Sequence, residues 1–353
     1  MWFNKLRLYV PFNLPAEGGN NGGNNGGNNG TVIVYDPFTL VTINGNDGTG
    51  QRMNPAKPFK TIRAAITASQ PGDLIKVTPG SYEEGSLPIK RNITLYFYDG
   101  AIVSTGNDEP IFSDDNAVID IDGKYPFTIR GYGSFINVGR EQTSAFVFKY
   151  FDMVAEIEAK YVSGLYIENA RAKVSNAIFE NHFNMVNGKA TFEDCLIRDA
   201  DIGLQTMFSV DKLKFRNCTF IRRGVNTNYY AKFGNYHSNC ININKLNGLQ
   251  SDIEFYECDF ISYLDAPHIF IAQNTDTGAT VQLFACRFYN ASFPLQKSLA
   301  YQNLGSPATN DMLFNLKGNI SNVSSVGIPI VYAAPETAIT ATSNFKLTDF
   351  DIA

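Results

Sequence analysis

The chain has 353 residues, 44% hydrophobic and 13% aromatic, with 29 basic against 34 acidic residues for a net charge of -5. That length can bury a large core. The acidic balance, with no cluster of Lys and Arg evident, argues against nucleic acid as the main partner, and no apolar run is long enough to span a bilayer.

Residues 1–17 read as a docking peptide. Leu6, Leu8 and Val10 alternate with Lys5, Arg7 and Tyr9, a pattern able to add as a strand to another sheet. Trp2, Phe3, Tyr9 and Phe12 are costly to leave exposed in a free tail, so Trp2, Phe3, Leu6, Leu8, Val10 and Phe12 are the candidate docking residues. The segment has no continuous apolar h-region and no small-residue cleavage site, so no signal peptide is expected. Residues 18–30 are near-copies of Gly-Gly-Asn-Asn, a composition that behaves as a flexible linker.

Residues 31–84 form the opening segment. A strand-like stretch from Thr31 to Val41 leads into a turn-rich run, and then Phe59, Ile62 and Ile66 recur at helical spacing until Pro71-Gly72 stops them. This predicts one short capping α-helix that covers the open end of whatever follows.

The body, residues 85–353, begins with strand-like rungs, and between Ala172 and Phe288 one pattern returns five times: Ala172–Phe179, Ala190–Ile197, Leu213–Phe220, Ile253–Phe260 and Val281–Phe288. Each runs apolar, any, apolar, two turn-like residues, a small apolar residue, any, and a large apolar residue. Period-two alternation marks strands, and the jump of three marks a corner. Before the small slot stand Asn176, Asp194 and Asn217, residues that tolerate a left-handed backbone; Glu257 and Ala285 depart from that preference. The small slot is Ala177, Cys195, Cys218, Cys258 and Cys286, separated by 18, 23, 40 and 28 residues. Such spacing, with no helical period between units, predicts an all-β parallel solenoid whose units stack because none can bury its apolar face alone. Stacking could bring the Cys within bridging distance, but free buried thiols are the expected state. There is no C-x-x-C pair, and His182, His237 and His268 show no metal-ligand spacing, so neither a metal site nor a cofactor is expected.

The run NDGTGQRMNPAKPFKTIRAAITASQPGDLIKVTPGSYEE, residues 46–84, resembles the opening of right-handed parallel β-helix proteins of the pectin-lyase-like superfamily. The shared features are Asp-Gly-Thr, a Pro-Phe-Lys-Thr-Ile helix start, Pro-Gly-Asp and a Val-x-Pro-Gly-x-Tyr strand. The resemblance implies a right-handed parallel β-helix. It is poor for function, since that superfamily includes pectinolytic enzymes, phage tailspikes and proteins without known catalysis. Of the motifs its galacturonan hydrolases carry, only an Asn274-Thr275-Asp276 is similar; Gly-His-Gly and Arg-Ile-Lys are missing, and no counterpart of a calcium-dependent lyase site stands out.

Glycoside hydrolysis needs two carboxyls about 5–10 Å apart. Asp114/Asp115, Asp120/Asp122, Glu193/Asp194 and Glu257/Asp259 are acid pairs, and Asp199 with Asp201, beside Arg198, is the better catalytic candidate. The 40-residue gap between Cys218 and Cys258 is the longest in the ladder and holds Tyr229, Tyr230, Phe233, Tyr236 and His237, the glycan-binding candidates. It either projects from one rung or spans two, with Asn239–Ile243 as a strand.

These features lead first to a virion appendage of a tailed phage, a fibre, spike or decoration protein. It would be anchored to other virion proteins by its N-terminal peptide and would contact host surface polysaccharide. By the resemblance alone it would be a homotrimer. Two readings stay open: a tailspike-type polysaccharide depolymerase, and a purely architectural solenoid without ligand.

Overall fold

The computed structural model describes residues 37–106, 109–114, 118–119, 124–138, 144–149, 153–168, 170–186, 189–198, 201–206, 212–222, 241–246, 252–262, 269–271, 280–290, 300–303, 313–317, 331–334 and 346–347. The docking peptide and linker fall outside them. In this structure the chain winds as a right-handed parallel β-helix with three faces. The first face is a sheet of 12 strands that runs from Thr39–Val41 through Leu74–Val77, Thr94–Phe97, Phe127–Gly131, Val154–Glu158 and Arg171–Ser175 to Lys189–Glu193, Lys212–Arg216, Asp252–Tyr256, Thr280–Phe284, Leu313–Lys317 and Lys346–Leu347. Each strand pairs in parallel with the strand one coil later.

The other two faces share long strands. Tyr161–Glu168 and Ile178–Val186 each pair by their first residues on the second face and by their last on the third. Beyond them the second face continues through Leu196–Arg198, Thr219–Arg222, Asp259–Ser262 and Arg287–Asn290, and the third through Asp201–Thr206, Ile241–Leu246, Ile269–Ile271 and Ala300–Asn303. The 40-residue gap therefore adds no coil, because Lys212–Arg216 pairs directly with Asp252–Tyr256. Its extra residues lie between the second-face strand Thr219–Arg222 and the third-face strand Ile241–Leu246.

All five predicted corners adopt the left-handed conformation: φ is 59° at Asn176, 55° at Asp194, 49° at Asn217, 53° at Glu257 and 50° at Ala285. A non-glycine residue there costs about 1–2 kcal/mol, least for Asn and Asp. Glu257 tolerates it because the ladder carries on through the corner. The N–H groups of Asn176, Asp194, Asn217 and Glu257 donate to Glu193, Arg216, Tyr256 and Phe284 carbonyls one coil on. Neighbouring coils impose the shape.

Inside, like stacks on like. Phe192, Phe215 and Phe255 form one column with ring centroids 5.0 Å apart, and Phe220 stacks on Phe260 at 5.0 Å. Cys195, Cys218, Cys258 and Cys286 line up as free, buried thiols, as expected from the small slot. Their S–H groups point at backbone carbonyls, as from Cys218 to Phe192 at 3.5 Å. Thiol-to-thiol hydrogen bonding and burial raise the pKa of Cys195, and burial foremost raises that of Cys258, so both stay protonated.

The capping helix, α1 (Ile62–Ala68), buries Ile62, Ala65 and Ile66 against the first strands of the stack. The opening motif is explained by how this helix is held. Asp47 accepts from the Lys60 and Thr61 N–H groups at 2.7 and 2.9 Å, and Glu84 accepts from those of Ile62 and Arg63 at 2.7 and 2.9 Å. Together the two carboxylates satisfy donors that the helix leaves open at its start. Burial raises the pKa of Glu84, and those two N–H donors only partly oppose it.

Candidate glycan-binding face

The structure accounts for several of the paired acids. Asp114 is fully buried and accepts from the Lys149 N–H through both carboxylate oxygens at 2.8 and 2.7 Å, a tie between coils. Asp194 and Glu257 are corner residues, exposed and left-handed. Asp259 is held by Arg287 in a two-pronged ion pair at 2.5 and 2.6 Å. Glu193 and Asp194, adjacent in sequence, separate onto a strand and a corner, and so do Glu257 and Asp259.

Asp201 opens the third-face strand Asp201–Thr206, and its backbone stands opposite that of His182 on the preceding coil. Asp199, Asp115, Asp120, Asp122, Asn274, Asp276, His237 and His268 lie outside the described residues, as do Tyr229, Tyr230, Phe233 and Tyr236. No cluster of three or more metal-binding side chains occurs among the described residues.

What the fold does assemble is on the outside of the first sheet. On Arg171–Ser175, Lys189–Glu193 and Lys212–Arg216, alternate residues point inward (Ala172 and Val174, Ala190 and Phe192, Leu213 and Phe215) and the others outward. Of the nine outward positions six are cations and one, Glu193, is an anion. The register stacks Arg171, Lys189 and Lys212, all exposed, in one column. Adjacent members sit about 4.8 Å apart by the spacing of paired strands. A second column runs Glu158, Ser175, Glu193, Arg216, Tyr256 and Phe284.

Acids offset part of this charge. Lys214 pairs with Glu254 at 2.9 Å, and Lys173 reaches Glu193 at 4.0 Å. Towards the later coils the cations run into aromatic rings: Lys214 Nζ lies 4.7 Å over the Tyr256 ring, and the Arg216 guanidinium 5.6 Å from it. Tyr256 in turn packs on Phe284, with centroids 5.6 Å apart and Phe284 43% exposed. Burial and the charge of Glu254 raise the Tyr256 pKa, so the phenol stays neutral. The face presents ammonium and guanidinium donors beside apolar rings on a rigid sheet, a chemistry suited to carboxylated or phosphorylated sugars.

This cluster corrects the reading from the linear sequence, which contains no basic run. Cations 18 and 23 residues apart become neighbours only by stacking. A signal was present all the same, since the residue just before each apolar frame is Arg171, Lys189 and Lys212 in three consecutive units.

The fold and this face together define a parallel β-helix protein with a charged outer sheet. Residues 43–255 match the family described as protein of unknown function (DUF1565), and the chain belongs to that family. Similar solved structures are the pectate lyase Pel9A (14% identity, 80% of this chain and 76% of that one, TM-score 0.43) and a family 28 exopolygalacturonase from Yersinia enterocolitica (12%, 84% and 68%, TM-score 0.46). A pectin methylesterase from Aspergillus niger is also similar (12%, 84% and 90%, TM-score 0.32). No curated protein matches the chain.

Proposed function

We propose that this protein is a structural appendage of a phage virion whose β-helix body contacts host surface polysaccharide. The observation that carries the glycan contact is the outward face of the first sheet, where Lys214 and Arg216 lie beside the Tyr256 ring and Tyr256 packs on the exposed Phe284. The appendage part is supported by the order of segments: an apolar peptide at residues 1–17, a Gly/Asn linker at 18–30 and a single long solenoid after it. A homotrimer belongs to this reading.

Polysaccharide depolymerisation is the second reading, favoured by the register that sets the backbones of His182 and Asp201 opposite each other. One experiment separates the two. The full chain is incubated with a panel of bacterial surface polysaccharides while binding, polymer size, new reducing ends and unsaturated products are followed. Binding with intact polymer is the expected result. Falling polymer size that Asp201→Asn abolishes would replace the appendage reading with the depolymerase.

A further inference from the structure

We infer that the file of four buried thiols is a redox-responsive staple, in which a peroxide converts Cys195 with Cys218, and Cys258 with Cys286, into disulfides that tie successive coils together. The inference is independent of the glycan reading. The four cysteines hold the same inward slot on successive coils and are free and 0–2% exposed. Backbone hydrogen bonds keep the file in register: the Thr219, Asp259 and Arg287 N–H groups donate to the Cys195, Cys218 and Cys258 carbonyls at 2.9 Å each. Backbones paired in this way stand about 4.8 Å apart, inside the roughly 4.4–6.8 Å over which a disulfide joins two Cα atoms. The side chains meet as well, since Cys195 and Cys218, Cys218 and Cys258, and Cys258 and Cys286 are hydrogen-bonded thiol to thiol.

Geometry favours alternate pairs. A disulfide holds its Cβ atoms about 3.5–4.5 Å apart, so a bridge draws two corners together by a few tenths of an ångström and widens the gap to the next. Four thiols in file therefore pair from the ends, because a Cys218–Cys258 bond would leave both end thiols without a partner. Within each pair the two sulfurs differ. Hydrogen bonds from Cys195 and Cys258 lower the pKa of Cys218, and one from Cys258 lowers that of Cys286, whereas Cys195 and Cys258 are raised. In the first pair the Cys218 sulfur takes one oxygen of hydrogen peroxide as the O–O bond breaks, giving a sulfenic acid and one water. The Cys195 sulfur then displaces that hydroxyl, which leaves with the Cys195 proton as a second water, and two electrons have passed from the sulfurs to the peroxide. Burial makes the step wait for a local opening of the coil, which keeps the thiols free until then.

The test uses the full chain carrying Cys240→Ser, because Cys240 lies outside the described residues, and the same chain with Cys195→Ala/Cys258→Ala added, which leaves Cys218 and Cys286 two coils apart. Ala177 already fills this slot, buried, one coil before Cys195, so alanine fits there, and melting curves of the reduced proteins check that both fold alike. Each is held overnight with excess hydrogen peroxide below its melting temperature, then digested and mapped without reductant. The expected products of the parent are the linked peptides Cys195–Cys218 and Cys258–Cys286. Closing loops over separations of 23 and 28 residues should raise its melting temperature by about 5 °C, a gain that dithiothreitol reverses and the double variant lacks. Four thiols still free would overturn the inference, as would sulfinic or sulfonic acid without a cross-link, or Cys218–Cys258 as the main product. Cross-linking that leaves the melting temperature unchanged would overturn the staple.

Discussion

The coils before Glu158 and those after Arg171 close the same three-faced helix by different means. In the earlier coils the corners that leave the first face use glycine, with Gly80, Gly100 and Gly131 all at positive φ. Their core is an interlocked cluster in which Phe97 meets Phe135 edge-on and Phe112, Phe135 and Phe146 touch at mixed tilts. In the later coils the corners carry side chains, and Phe and Cys stack on their own kind. Where successive coils share a sequence frame, a side chain such as Phe215 finds its own kind on the coils above and below. Without a shared frame, the rings meet at mixed angles, and at Gly131 the backbone needs glycine to pass closely.

Three substitutions probe that contrast. The largest effect is expected from Gly131→Ala, because a Cβ there would lie 2.3 Å from the Phe97 carbonyl oxygen at φ 93°. Left-handed strain and a clash with backbone together should cost about 2–4 kcal/mol in urea unfolding. A loss under about 1 kcal/mol would mean that glycine is incidental and that the two kinds of corner are equivalent.

Next comes the polar framework of the opening. Arg52 grips Asp73 at 2.5 and 2.6 Å, and Asp73 also accepts from the Gln70 N–H at 2.8 Å. Burial alone would raise the Asp73 pKa, but these hydrogen bonds outweigh it and the net shift is downward. A lowered carboxylate adds stability above its unfolded pKa of about 3.9 and loses it as pH falls through the lower folded value. Asp73→Asn should therefore cost about 1–3 kcal/mol at pH 7 and flatten the fall in stability below about pH 4. An unchanged acid limb would show that Asp73 titrates alike in both states.

The smallest effect should be a gain. Ala285 occupies a left-handed corner where three of the four preceding units place Asn or Asp, and Ala285→Asn should raise stability by about 0.5–1 kcal/mol. If stability falls instead, the stack and not the residue sets the corner's energy.

Much of the fold was readable in the chain before any coordinate. The left-handed corners, the buried small slot, the capping helix and the solenoid itself follow from local rules: alternation with period two, the backbone preferences of Asn and Asp, and the need of each repeat to cover its neighbour. Even Glu257 and Ala285, which lack the preferred chemistry, were placed by the frame they share with the other units. The surroundings of the acid pairs were less legible, for a physical reason. Sequence shows that two carboxylates are near in the chain, but not that one sits on a strand and the other on a corner, or that Arg287 already holds Asp259.

The outer face was legible least of all. Which outward residues meet depends on register, and register depends on how many residues each corner and insertion consumes before the chain returns to the first face. Stacking brings residues 18 to 40 positions apart to about 4.8 Å, so the cationic column and the neighbouring column that ends in Tyr256 and Phe284 exist only in the wound chain. The sequence by itself determined the kind of coil and where it turns, because those are local preferences repeated. Only the tertiary structure decided which charges became neighbours, because that is the sum of every turn between them.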